Sequence, residues 1–339
     1  MEGYIMENFN LYAVATRILQ DAVKLEAGEN VCIVSDTNTT EIGEIFASCV
    51  AAMGAEPVLT VITPRKTHGV EPPEIVAAAM KAADVVLQPI TYAITHTNAT
   101  KDALQAGARV LVMRGITKDL MLYGAVGADY YKIDQLSEVV RQRMTKGNNV
   151  RIVTPSGTNL SLSIEGRTGL MLTGLVKGPG TFAAMPDGEA AIAPLEGTAE
   201  GTLVIDHTMD AIGMLDTPIH MEVHQGRVIS IEGGKSAERL RKIIEEADEG
   251  ARNIAEFAIG TNPNARLIGN MAEDKKAWGT VHIAVGDSHV IGGTVESSIH
   301  LDGLLLSPTV WIDDECVIQE GRLLVQDETA MESGVSAQG

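Results

Sequence analysis

Basic residues are scarce in this chain. Its 339 residues include 26 Lys or Arg against 45 Asp or Glu, for a formal charge of -19. A binder of phosphate backbones must replace condensed counterions with Lys and Arg, so nucleic acid is excluded as a partner. An anionic membrane surface is excluded on the same ground. Cysteine is also sparse. Cys32, Cys49 and Cys316 are widely spaced, odd in number and form no CxxC, which excludes a disulfide framework and points to reduced thiols. No stretch approaches the ~18 uninterrupted apolar residues of a membrane span. The opening stretch MEGYIMENFNLYAVA has no basic segment followed by an apolar one, so the expected location is cytoplasmic. What is present is ample apolar material, 45 % of the residues, enough to order a large core.

The first part alternates short β-branched runs with alanine-rich amphipathic segments. Strands are expected at 31–35, 57–62, 85–87 and 109–113, and helices at 41–53, 73–82, 99–106 and from about residue 117. Such alternation implies right-handed crossovers and a parallel sheet. The fold class is therefore α/β: a Rossmann-like parallel-sheet N-terminal domain, residues 1–147. The first strand–helix turn, Ser35 to Thr40, contains no glycine, and no GxGxxG or GxxxxGK[ST] occurs, which disfavours a dinucleotide enzyme. From about residue 150 short alternating runs separated by Gly, Asn, Asp and Pro predict antiparallel strands, with one helix at 236–249 capped by Ser236. Residues 148–325 form a β-rich α+β domain, and 326–339 a frayed polar tail.

Chemistry concentrates in the second domain. His300 and Asp302 stand at i and i+2, so on a strand both side chains point to one face, about 6.5 to 7 Å apart at the backbone, within reach of one cation. His282 is the sole ionisable residue of an apolar run, 279–286, and a buried imidazole must be hydrogen-bonded or coordinated. Glu256 lies among apolar residues just ahead of a Gly-Thr-Asn-Pro turn, where a metal would stabilise its charge. A Pro-Asp-Gly turn delivers Glu189 to the head of another apolar run. Singly these residues have plainer readings: a satisfied core histidine, an acid reaching solvent from a helix end, a surface acid. His220 and His224 suit zinc only on a helix, and 218–223 reads as a strand.

In order, PDGE (186–189), AEFAIGTNP (255–263), HIAVG (282–286) and HLDG (300–303) resemble the aminopeptidase T family of metallopeptidases, enzymes of the leucyl-aminopeptidase type. The resemblance implies that Glu189, Glu256, His282, His300 and Asp302 ligate one or two divalent ions (zinc, cobalt or manganese). It implies a metal-activated water that hydrolyses the N-terminal residue of short peptides, with Glu256 as its base, in a homodimer. The family carries a Tyr seven residues after the buried histidine; here His289 stands there, a substitute donor to an oxyanion. The alternative is a resemblance to the 2,5-dihydroxypyridine dioxygenases. It implies a ferrous ion held by His282, His300 and Asp302, ring cleavage of a small aromatic, and an acid–base histidine from the first domain, His96. The two extra carboxylates, Glu189 and Glu256, tip the expectation toward the aminopeptidase.

Overall fold

In the computed structural model, residues 2–324 are described, with side chains from residue 10 onward. The 326–339 stretch lies outside them. The chain divides into two units: residues 1–131 with 173–187, and residues 132–172 with 188–339.

In the first unit the β-branched runs become four parallel strands, β1 (Asn30–Asp36), β2 (Glu56–Ile62), β3 (Val85–Ile90) and β4 (Arg109–Arg114). Helices follow each: α2 (Thr40–Ala52), α3 (Glu74–Lys81), α4 (Asn98–Gln105) and α5 (Lys118–Tyr123), after the leading α1 (Glu2–Asp21). Gly54, at φ +81°, ends α2 as its composition predicts. The centre of the sheet is continuous core: Cys32, Val34, Val86, Ile90, Val110 and Val112 belong to one apolar cluster. Burial pushes the Cys32 thiol up to about 12, as befits an inert core residue.

The division of the chain runs differently from a cut at residue 147. The helix α6 (Tyr130–Lys146) lies almost wholly in the second unit, where Val140 and Met144 enter its core. Residues 173–187 return to the first unit, and their strand Phe182–Ala184 pairs in parallel with β4. That fifth strand is only three residues long, too short for any periodicity to announce it.

The second unit is antiparallel. An eight-stranded sheet contains β5 (Asn149–Val153) and β6 (Asn159–Ser163), together with Glu200–Ile205, Ile219–His224, Arg227–Glu232 and three strands from 309–323. A seven-stranded sheet contains β7 (Leu170–Leu172) and, with Phe182–Ala184 counted as β8, β9 (Glu189–Ile192); β10 (Glu200–Ile205) belongs to the first of the two sheets. The seven-stranded sheet continues with β11 (Thr208–Met209) and β12 (Gly213–Met214). With β13 (Ile219–His224) and β14 (Arg227–Glu232) numbered in the other sheet, it is completed by β15 (Ile254–Gly260), β16 (Val281–Gly286) and β17 (His300–Leu305). β17, β16, β15 and β9 are consecutive neighbours. Apolar side chains of both sheets meet in one core: Ile152, Leu160, Leu203 and Met221 from one, and Ile192, Phe257, Ile259, Val281, Ile283, Val285 and Leu305 from the other. The helix α7 (Lys235–Glu246) covers this core with Leu240 and Ile244, but Ser236 is not its cap. Asp216 accepts from Lys235 and Ser236 N–H instead, at 3.1 and 2.8 Å. Among the described residues no helix is long and apolar enough to cross a membrane.

Candidate metal centre

Strand alternation decides which residues leave the core. In β16 the odd residues Val281, Ile283 and Val285 pack inward, so His282, Ala284 and Gly286 face the other way. Register extends this face across the sheet. Ala284 pairs with Glu256 on one side and Asp302 on the other; Gly286 pairs with His300, and Gly260 with Glu189. The residues between the polar groups are small, Ala191, Ala258 and Ala284, so the longer side chains converge above them. All five second-domain ligand candidates thus stand on four adjacent strands, and Glu256 is on a fully buried strand rather than a helix end.

Two glycines fix the geometry. Gly188, at φ +130°, has no room for a Cβ, which would lie 2.7 Å from Asn262 Cβ; its carbonyl accepts from Thr261 N–H at 2.9 Å, tying Glu189 to the Gly-Thr-Asn-Pro turn. Gly286, at φ +111°, would place a Cβ 2.1 Å from the Ile299 carbonyl. Just beyond it, the Asp287 carbonyl lies 2.7 Å from His300 Nδ1. That contact makes Nδ1 a donor and directs Nε2 to the cluster, the tautomer a metal requires.

His282 Nε2 lies 3.3 Å from Glu256 Oε1 and 3.8 Å from Glu189 Oε2. His300 Nε2 lies 3.0 Å from Glu256 Oε2 and 3.1 Å from Asp302 Oδ1. Glu256 therefore bridges the two imidazoles. Among the described residues, two overlapping groups offer ligand atoms within 4.8 Å of one another: Glu189, Glu256 and His282, and Glu256, His300 and Asp302. Asp302 Oδ1 and Glu189 Oε2 are buried without a hydrogen-bond partner, the mark of a cluster rich in acceptors. Imidazole nitrogens with carboxylate oxygens fit a divalent transition metal.

The electrostatics of these side chains agree. Burial raises the Glu256 carboxyl, but the His282 and His300 imidazoles beside it outweigh burial and bring it down to about 2. Burial lowers His300, but Asp302 and Glu256 overcome this and raise it to about 11. Burial also raises Glu189 and Asp302; Lys275 leads the opposing groups, and both carboxyls are held down.

Two lysines carry no signal in the sequence, because adjacent lysines in a polar segment read as solvated. Lys275 Nζ lies 2.7 Å from Asp302 Oδ2 and 3.9 Å from Glu189 Oε1, and Lys276 Nζ lies 2.7 Å from Glu189 Oε1. Asp210 joins the rim, accepting from Asp302 N–H at 3.4 Å. By contrast His289 sits on an exposed 3-10 turn, outside both ligand groups. His96 belongs to the first unit, exposed on the turn before α4, whose N-cap is the adjacent Thr97. His220 and His224 lie on β13, where zinc spacing does not apply, and His224 Nδ1 is 3.0 Å from Glu200.

A family model described as NicX, 2,5-dihydroxypyridine 5,6-dioxygenase, matches residues 11–325. The curated 2,5-dihydroxypyridine 5,6-dioxygenase of Pseudomonas putida is 23% identical over 269 residues, 74% of each chain. The solved 2,5-dihydroxypyridine dioxygenase of the same organism superposes with a TM-score of 0.78 at 18% identity, covering 95% of this chain and 99% of that one. Wild-type AmpT of Thermus thermophilus superposes with a TM-score of 0.69 at 19% identity, covering 93% of this chain and 99% of that one. At these identities the two superpositions establish the shared fold.

The family match overturns the aminopeptidase reading, and with it the hydrolase assignment. The fold does not separate the two readings, since both solved structures share it with this chain. The argument from extra carboxylates also weakens, since Glu189 is ion-paired with Lys276. Family and geometry together point to a divalent-metal site.

Proposed function

The chain belongs to the 2,5-dihydroxypyridine 5,6-dioxygenase family, and we propose that it cleaves a dihydroxypyridine-like ring between carbons 5 and 6 with dioxygen, using a ferrous ion held by His282, His300 and Asp302. The observation that carries this reading is the donor set. His282, His300 and Asp302 share one face of β16 and β17, the two-His, one-carboxylate set of non-haem iron oxygenases, and Glu256 joins the ligand group that holds His282 to the one that holds His300 and Asp302. Such an ion supplies open coordination positions and the one-electron chemistry through which dioxygen reacts with a closed-shell aromatic.

The chain's own residues orient and neutralise. The Asp287 carbonyl holds His300 in its donor-at-Nδ1 tautomer. Glu256, 3.3 Å from one imidazole and 3.0 Å from the other, fixes both rings and is a further oxygen donor to the same ion. His96, in the other unit, is the acid–base group that the resemblance to the dioxygenases implies. Its support is the resemblance to the dioxygenases and its place beyond the C-terminal end of β3, where open α/β sheets bind ligands.

The test is anaerobic loading with ferrous ion, followed by oxygen uptake and loss of ring absorbance with 2,5-dihydroxypyridine. Oxygen and ring are expected to disappear one for one. His96→Gln is expected to lower kcat with iron content unchanged. An iron-loaded protein that leaves this and related dihydroxypyridines intact would overturn the proposal.

A further inference from the structure

The family reading uses His282, His300, Asp302 and Glu256 for iron and leaves Glu189 beside two lysines. Their placement is built into the fold. The helix α8 (Met271–Asp274) leads straight into Lys275 and Lys276. Its start is capped by Asn270, whose side chain accepts from Ala272 N–H at 3.2 Å. Its last residue, Asp274, accepts from Ile268 N–H, Gly269 N–H and Thr208 Oγ1 at 2.8, 3.1 and 3.0 Å. The Lys276 carbonyl accepts from Asn262 N–H at 2.9 Å, and Trp278 N–H donates back to the Asn262 carbonyl at 3.1 Å. The lysine segment is thereby clamped to the Gly-Thr-Asn-Pro turn that ends β15. Lys276 is 5% exposed, so its ammonium is not a surface charge that happens to lean inward.

We infer that Lys275 and Lys276 act as the resident cations of this centre, supplying the charge and filling the place of a second divalent ion, so that the cluster holds one ion and Glu189 is a counter-ion rather than a ligand. The inference rests on the proposed function only in requiring that the cluster bind a metal.

Charge balance supports it. Glu189, Glu256, Asp302 and Asp210 are four carboxylates about the centre, and the two ammonium groups offset half of them. One divalent ion with neutral imidazoles brings the cluster to zero. A second would leave two positive charges in a buried site, which a low-dielectric interior penalises. Geometry supports it too. The Lys276 ammonium is 2.7 Å from Glu189 Oε1, which leaves only Oε2 turned toward His282, 3.8 Å from its Nε2, and denies a second ion a bidentate carboxylate. Lys275 occupies Asp302 Oδ2 and leaves Oδ1, which lies toward His300, to the ion.

The experiment is equilibrium dialysis of the full chain against manganese(II), read by elemental analysis and by the electron paramagnetic resonance of the bound ions. Wild-type protein is expected to bind one ion per chain, with the spectrum of an isolated centre. Lys276→Met frees Glu189 and is expected to bind two, with the spectrum of an exchange-coupled pair. The charge-conserving Glu189→Gln/Lys276→Met variant removes the ion pair as a unit. It is expected to bind one ion with affinity within about threefold of wild type. Two ions in the wild type, one ion in a folded Lys276→Met, or a loss of about 100-fold in the double variant would each overturn the inference. No bound ion in the wild type would instead overturn the metal reading beneath it.

Discussion

The two faces of β9, β15, β16 and β17 are made by the same strands and are about equally buried, yet they share almost no chemistry. One presents Ile192, Phe257, Ile259, Val281, Ile283 and Val285 to the core between the sheets. The other presents Glu189, Glu256, His282, His300 and Asp302 to one another. Strand periodicity makes this possible, since each residue added to the core face brings one to the site face. The apolar face stabilises the fold by burial. The polar face carries a desolvation cost, offset by pairing acids with imidazoles, lysines and a metal. The faces should therefore fail in different ways.

The largest effect is expected on the core face. Phe257→Ala should lose about 3–5 kcal/mol in urea unfolding, while the folded fraction keeps its metal affinity. On the site face, Asp302→Ala should lower metal affinity by about 100-fold, measured by dialysis, and leave a folded metal-free protein. Gly286→Ala joins the faces. Its Cβ would press on the Ile299 carbonyl, shift the Asp287 carbonyl from His300, and weaken metal binding about 10-fold.

Protonation gives a fourth contrast, because only the site face titrates. His300 is raised from 6.5 to about 11 in the metal-free protein. Its contribution to metal-free stability should be complete below 6.5 and lost as pH rises through about 11. A metal must displace this proton, so apparent affinity should rise about tenfold per pH unit over that window, read by metal titration at several pH values. The smallest effect lies off both faces. Asp216→Ala removes the acceptor at the start of α7 and should cost about 1 kcal/mol in unfolding, with metal binding unchanged.

The strand face was legible wherever alternation was clean. His282 among valines and isoleucine, and His300 with Asp302 two residues on, declare a shared face without a structure. Glu256 was legible as a buried acid but not as a strand residue. Its run, Ala-Glu-Phe-Ala-Ile-Gly, mixes helix formers with apolar residues, and its partners on both sides decide the state. Lys275 and Lys276 were not legible, because they reach the site only after the chain folds back on Asn262. His289 shows the converse. The resemblance to the aminopeptidases implies a site position for it, but β16 ends at Gly286 and the turn carries it outward. The chemistry was not legible either, since a shared fold does not fix the reaction built on it.

The central claim is that the polar face of this sheet is an iron centre for ring opening. The most direct measurement is oxygen consumption by ferrous-loaded protein given 2,5-dihydroxypyridine, with His300→Ala alongside. The account predicts one dioxygen consumed per ring lost in the wild type, no uptake without ferrous ion, and none in His300→Ala. Ring loss undiminished in a His300→Ala variant that retains no iron would contradict it.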